Sequence, residues 1–351
     1  MTDILIIADG RHSDQRYTTG LALHGVFISV TRGKNVFIAA GGFEYPQVKA
    51  KYPAALRFED LGKGMVEIIK AFCKKHRVTT PVVPRTVSAG AWQLIRKACP
   101  KARLAERGEE VFTARAIKCS VEIRAIKAAT IATEEAITVV RDVLANARIK
   151  NGVAYAGSKV LTSETLKRVA AVTLATHNVA CPDMIIASGK QGALPHEEGH
   201  GPIKEGAVVV DIFPKSNESG YFSDMTRTFI VGSAPKTFDE RYAAVIAVHS
   251  AARKVIKHGA TNVEQVAKNT FSACCMKTDY AKGTGYIHSL GHGVGLDIHE
   301  EPRLSGKLVA GNIITIEPGL YYDYGIRVED IGLVTKRGFT NFSKLNKEPH
   351  L

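Results

Sequence analysis

Residues 207–228 read AVVVDIFPKSNESGYFSDMTRT. The run Val208-Val209-Val210 belongs inside a buried strand, yet Asp211 follows it directly. A carboxylate entering a core without a partner is very costly, so Asp211 has a purpose there. Pro214 through Gly220 supply turn residues, and the chain returns through Asp224. A hairpin of this kind brings both aspartates to one region of a sheet.

The pattern recurs in residues 313–330, IITIEPGLYYDYGIRVED. Glu317 ends the apolar run Ile313 to Ile316, and Glu329 sits on the next strand after a turn near Tyr322 to Gly325. Each of two hairpins thus carries two carboxylates where a bland sheet would carry Thr, Val or Ile. Between them lies the segment Ser289-Leu-Gly-His-Gly-Val-Gly295, in which glycines around His292 let backbone approach closely.

Buried like charges raise one another's pKa, so four carboxylates together demand positive charge. Arg227 and Arg327 supply part of it, and a divalent metal pair does so better. An oxygen-rich site with one imidazole favours Mn, Co, Fe or Zn over thiophilic ions. Two such ions, about 3.5–4 Å apart, make water nucleophilic and polarise a carbonyl, which is machinery for hydrolysis.

The rest of the chain frames this site. A length of 351 residues suits two domains. Short apolar strands at Ile4–Ala8, Val26–Val30 and Val36–Ala40 alternate with helical patterns near Gly62–His76 and Ala91–Cys99, giving a small α/β domain over residues 1–111. Pro100 and the polar stretch through Glu110 mark its boundary. Residues 112–351 then read as helices at Ser120–Asn146 and Ser163–His177, followed by strands at Met184–Ala187, Ala207–Phe213 and Tyr221–Val231. Helices at Asp239–His258 and Asn262–Cys275, with Asn262 as N-cap, precede strands at Tyr286–Leu290, Asn312–Ile316 and Gly325–Val334. A helix pair followed by antiparallel strands, twice over, predicts an α+β fold of two related halves covering a curved sheet.

Composition excludes several classes. At 45% hydrophobic and 23% charged residues, the chain has the balance of a water-soluble globular protein, and no run approaches the roughly 20 apolar residues of a membrane span. The expectation is a cytoplasmic, unprocessed protein with no membrane partner. The net charge of +13 is scattered, and the clusters at Lys74 to Arg77 and Lys97 to Arg107 lack interleaved aromatics, so no nucleic-acid partner is expected. The six cysteines show no metal-ligand spacing and read as free buried thiols, with Cys274-Cys275 in a helix core.

Read together, Leu-Pro-His-Glu-Glu (194–198), Val-Val-Val-Asp-Ile (208–212), Ser-Asp-Met-Thr-Arg-Thr (223–228), Gly-His-Gly-Val-Gly-Leu-Asp-Ile-His-Glu (291–300), Thr-Ile-Glu-Pro-Gly-Leu (315–320) and Arg-Val-Glu-Asp (327–330) resemble the prolidase and aminopeptidase P branch of the creatinase/prolidase (pita-bread, M24) metallopeptidases. The resemblance covers roughly residues 112 to 340, in the family's order. It implies a pita-bread catalytic domain and a creatinase-type amino-terminal domain. It implies that Asp211 chelates one metal, that His292 and Glu317 bind the other, and that Asp224 and Glu329 bridge both. It marks His196 and His299 as facing substrate and Arg303 as an arginine near the substrate carboxylate. Glu317 is expected to relay the proton of the attacking water, and Arg327, which shares a strand face with Glu329 by the period of two, is a candidate for supporting the site and binding substrate. His200 and His288 carry less support.

Two departures from the family pattern stand out. The 13 positions separating Asp211 from Asp224 exceed the usual hairpin by roughly two, which predicts a longer loop. The amino-terminal domain opens almost directly on the strand Ile4–Ala8, where relatives commonly place a helix first. The expected activity is hydrolysis of the peptide bond preceding proline by a homodimer holding two divalent ions per chain. The substrates are short proline-containing peptides. The alternatives are an Xaa-Pro aminopeptidase, a methionine aminopeptidase, and a metal-free binding scaffold on the same fold.

Overall fold

The apolar alternation that begins at Ile4 forms the strand Asp3–Ala8 near the middle of a six-stranded mixed sheet. A computed structural model describes residues 2–106 and 111–351. In it the chain divides into two units, Met1–Thr113 and Ala114–Leu351. Residues 107–110 of the polar boundary stretch lie outside the described residues.

In the first unit the sheet order is Leu56–Arg57, Asn35–Ala40, Phe27–Arg32, Asp3–Ala8, Val82–Val83, Arg103–Leu104. Helices Met65–Lys75 and Ala89–Ala98 bury Ile68, Ile69, Phe72 and Ile95 in one core with Leu5, Ile6, Ile28 and Val30. Ser88 starts the second of these helices by accepting a hydrogen bond from the Ala91 amide at 3.1 Å. Two further helices, Ser13–Thr19 and Tyr45–Lys51, were not expected, because seven residues are too few to display an apolar stripe.

The second unit contains the two halves. Helices Ser120–Ala145 and Ser163–Thr176 share a core with the antiparallel strands Ile185–Ser188, Gly206–Ile212 and Met225–Val231. Helices Phe238–Val255 and Val263–Ala273 share another with Ile313–Ile316, Asp330–Val334 and the hairpin Gly319–Tyr321/Gly325–Arg327. Strand alternation then places the chemistry. Val208, Val210 and Ile212 enter the helix-facing core, so Asp211 projects to the opposite face. Ile326 and Val328 do the same in the second half and leave Arg327 on the far side.

The halves are joined edge to edge. The Glu329 amide donates to Thr226 O at 3.0 Å, and the Arg327 amide donates to Thr228 Oγ1 at 3.0 Å. Arg227, 1% exposed, donates to Glu329 O at 2.6 Å and to Asp330 Oδ1 at 2.9 Å. Arg227 therefore serves Asp330 and the backbone. It is not the counter-charge of the four carboxylates.

Five local expectations are corrected. Tyr286–Leu290 is not a strand. Its polar groups go elsewhere: the Leu290 amide and the Tyr286 hydroxyl donate to Glu264, and the Tyr286 amide donates to Thr278 Oγ1. Gly325–Val334 is two strands with Val328 and Glu329 between them, and Asp224 lies one residue ahead of its strand. Asn262 makes no side-chain cap; at φ 58° it occupies the left-handed region that Asn tolerates. Cys73, Cys99 and Cys181 are buried, but Cys119 and Cys275 are exposed, and Cys275 lies beyond its helix at φ 59°. Among the described residues, no helix is long and apolar enough to cross a membrane.

Asp330 is fully buried among Arg227, Asn341, Lys347 and His249. Burial alone would raise its pKa, but His249, Arg227 and Lys347 outweigh it and hold the carboxyl far below its usual range. Burial in turn pushes His249 down. Both groups bind fewer protons folded than unfolded. Their stabilisation is complete above the ordinary values of 6.5 for His and 3.8 for Asp and is lost on acidification, the histidine share first. The thermal advantage of wild type over His249→Gln should therefore narrow between about pH 7.5 and 5.5; a constant gap would refute this account. Phe229, 1% exposed in the first half's core, should cost about 3–5 kcal/mol on replacement by Ala, read from urea unfolding.

Candidate active site

Asp211 pairs across the sheet with Thr226, so the two side chains share a face. Thr226 Oγ1 donates to Glu329 Oε2 at 2.8 Å and accepts from Arg327 Nε at 3.1 Å. Arg327 Nη2 donates to Asp211 Oδ2 in a short bond, and Nη1 donates to the Tyr321 hydroxyl at 2.7 Å. Asp224 reaches the same place from the end of the long loop. His292 Nε2 lies 3.5 Å from Asp224 Oδ2 and 3.4 Å from Glu317 Oε1. The ligand atoms of Asp224, His292 and Glu329 all fall within 4.8 Å of one another.

His292 can stand there because Gly291 is bare. A Cβ at Gly291 would lie 2.3 Å from Thr315 O, inside the strand it crosses. Thr315 Oγ1 accepts from the His292 amide at 3.1 Å, and the Glu317 amide donates to Leu290 O at 2.7 Å. The glycine-rich segment is thereby stitched to the strand that ends in Glu317.

The electrostatics are those of a site short of positive charge. Asp224 is pushed well above the usual carboxylate pKa, chiefly by burial and then by Asp211 and Glu317. Glu329 is raised likewise by burial and then by Asp224. Arg327 rises well above its ordinary value; burial opposes the rise, and Tyr321 and Asp211 outweigh it. Arg327 is one cation among four carboxylates. Asp211 Oδ1, Asp224 Oδ1 and Glu329 Oε1 are buried without a hydrogen-bond partner. Unpaired carboxylate oxygens facing one imidazole are a donor set that fits hard or borderline divalent ions.

His299 stands edge-on to His292, ring centroids 4.2 Å apart, and burial followed by the His292 charge lowers its pKa. His196 lines a cavity of about 440 Å³ with Leu194, Pro195, Glu197, Ile287 and His288. That cavity is tied to the carboxylates: His288 Nε2 lies 2.9 Å from the Tyr321 hydroxyl, and Arg327 Nη1 donates to Pro195 O at 3.3 Å. His200 is exposed beside Gln191. Arg303 is not drawn into the cluster; its side chain is 82% exposed, with Nε 3.6 Å from Glu301 Oε1.

Thr226 and Tyr321 were missed in the sequence. Tyr321 is buried, its hydroxyl pKa pushed up to about 12 by burial, and it links His288 to Arg327. A threonine and a tyrosine on strands carry no sign of function by themselves. The register that sets Thr226 opposite Asp211 comes from the folded sheet, and strand period alone does not give it.

A family model described as metallopeptidase family M24 matches residues 124–336. The chain belongs to that family. Over 176 residues it is 39% identical to the Xaa-Pro dipeptidase of Pyrococcus furiosus, covering 47% of this chain and 48% of the relative. The match therefore spans about half the length of that relative. An uncharacterized peptidase of Methanocaldococcus jannaschii is 34% identical over 253 residues, 67% of this chain and 66% of the relative. The crystal structure of the prolidase from Pyrococcus horikoshii shares the fold at a TM-score of 0.81 and 26% identity, covering 99% of this chain and 95% of that one. The M24 chain thus carries the α+β pita-bread fold.

Relieving the charge crowding should separate stability from ion binding. In chelator near pH 8, Asp224→Asn should melt higher than wild type, because a carboxylate with a raised folded pKa destabilises the fold once ionised. Each kcal/mol relieved corresponds to roughly 2–4 °C. The same variant should lose at least one bound ion and most of the Tm gain that added Mn gives wild type. A variant that bound metal like wild type would remove Asp224 from the site.

Proposed function

We propose that this M24 chain is a metal-dependent Xaa-Pro dipeptidase, hydrolysing the peptide bond that precedes proline. The observation that carries the reading is the set of three unpaired buried carboxylate oxygens converging with His292 and Glu317 beside the His196 cavity. In this reading Asp211, Asp224, His292, Glu317 and Glu329 would hold two divalent ions of Mn, Co, Fe or Zn. When bound, the ions supply Lewis acidity toward the scissile carbonyl and lower the pKa of water.

The chain's own groups do the rest. Glu317 is the most accessible of the site carboxylates, its side chain 16% exposed against 7% for Asp224. It accepts the proton of the attacking water and passes it to the departing proline nitrogen. His299, kept neutral near pH 7 by its lowered pKa, donates an N–H to the carbonyl oxygen as charge develops, with His196 facing it from the cavity. Arg327 holds Asp211 in place while Tyr321 and Thr226 fix Arg327.

Arg303 reads the end of the substrate. Its guanidinium, exposed beside Glu301, can swing to a carboxylate entering from solvent, a charged bond worth roughly 1.5–3 kcal/mol. The reading extends to a cytoplasmic homodimer acting on short proline-containing peptides.

A panel of Xaa-Pro dipeptides, Xaa-Pro tripeptides and Met-Ala peptides, each with Mn, Co or Zn, tests the function. Wild type should favour the dipeptide. Arg303→Ala should lower kcat/KM on it by about 10- to 100-fold while sparing a peptide whose carboxylate lies further out. Equal loss on both would remove the clamp. Wild-type preference for the tripeptide would move the reading to an Xaa-Pro aminopeptidase, and no cleavage before proline would end it.

A further inference from the structure

Ahead of the helix Ser120–Ala145, two cations are nearly as buried as the core: Arg115 is 8% exposed and Lys118 5%. Neither belongs to the carboxylate cluster. Buried cations are tolerated only when well paired, and both reach Glu300. Arg115 Nη2 donates to Glu300 Oε2 at 2.6 Å, and Lys118 Nζ donates to Oε1 at 2.5 Å. The same Arg115 nitrogen meets Asp297 Oδ2 at 2.7 Å, and the Asp297 amide donates to Glu300 Oε2 at 3.3 Å. The segment carrying the cations is itself seated, with the Lys118 amide on Gly311 O at 2.8 Å and Asn312 Nδ2 on Ala116 O at 2.7 Å.

Glu300 adjoins His299 at the end of a loop folded against itself. The Glu300 amide donates to Gly293 O at 2.9 Å, the Gly295 amide to Asp297 O at 3.0 Å, and the Phe222 amide to Gly295 O at 2.8 Å. A Cβ at Gly295 would lie 2.2 Å from Glu300 Oε1, so the carboxylate rests directly on the loop. Glu300 follows His299 directly, so fixing it fixes the peptide that carries the His299 ring, and that ring is edge-on to His292.

We propose that Arg115 and Lys118 are positioning residues, which grip the Glu300 carboxylate and so hold His299 at the reacting carbonyl. The role assigned to His299 rests on the peptidase reading above; the grip on the loop does not. Two charged hydrogen bonds fix both oxygens of one carboxylate, which leaves it little rotation. Misplacing a reacting group by about 1 Å costs up to about 100-fold in rate.

The test uses Lys118→Met, Glu300→Gln and the conservative Arg115→Lys in the full chain, with two readouts. In metal-free protein, hydrogen exchange of peptides covering residues 292–303 should quicken about tenfold in the first two variants, while the helix Phe238–Val255 exchanges as in wild type. In Mn-loaded protein, their kcat on an Xaa-Pro dipeptide should fall about 10- to 100-fold with KM within about threefold, and Arg115→Lys should stay within about threefold of wild type. Unchanged loop exchange, or exchange quickened equally throughout the catalytic unit, overturns the proposal, as does a wild-type kcat in Lys118→Met and Glu300→Gln. If wild type cleaves no Xaa-Pro peptide, the peptidase reading fails, and loop exchange alone decides whether the grip exists.

Discussion

Four carboxylates confined to one buried patch repel one another, and the fold is arranged so that they cannot escape. Asp211 is held by strand alternation, since turning it away would put Val208, Val210 and Ile212 on the wrong face. Glu329 is held by the seam between the halves, where its amide and carbonyl are bonded to Thr226 and Arg227. Glu317 is held by the strand that also grips His292. One guanidinium, that of Arg327, is the fixed cation at the centre, and it too is locked on three sides, by Asp211, Thr226 and Tyr321.

This arrangement explains a division of labour between two similar arginines. Arg227 and Arg327 sit on neighbouring strands of the two halves and are both buried. Arg227 faces the helix side, where it neutralises Asp330 and collects the carbonyls of Leu345 and Asn346 from the last residues of the chain. Arg327 faces the other way and stays among acids. One-residue parity decides which arginine stabilises the seam and which shapes the site.

Much of this could be read from the amino-acid order, and for a reason. A carboxylate at the end of a valine run has no cheap structural explanation, so Asp211 and Glu317 stood out without any coordinates. The paired-hairpin layout followed from them, as did the two helix pairs with their long apolar stripes. What escaped were elements whose logic is tertiary. Tyr286–Leu290 has the residues of a strand, but the Glu264 side chain supplies the acceptors a neighbouring strand would have given. Asn262 has the residue type of a cap, but its value lies in accepting a left-handed backbone. Arg115 and Lys118 carried no signal in the sequence, because their partner Glu300 lies far along the chain. Tyr321 and Thr226 earned their places through hydroxyl geometry that composition does not encode.

The unpaired oxygens carry one more consequence. Asp224 and Glu329, with their raised pKa values, tend to keep protons that any bound cation must displace. At the proposed metal site, hydrogen ions and metal ions would compete for the same lone pairs, and loading would acidify the surrounding solution. For every proton expelled, the apparent metal affinity changes about tenfold per pH unit. As the proposed metal site, the buried patch would exchange protons for metal ions, and its occupancy would follow the ratio of the two in the medium as well as the metal concentration.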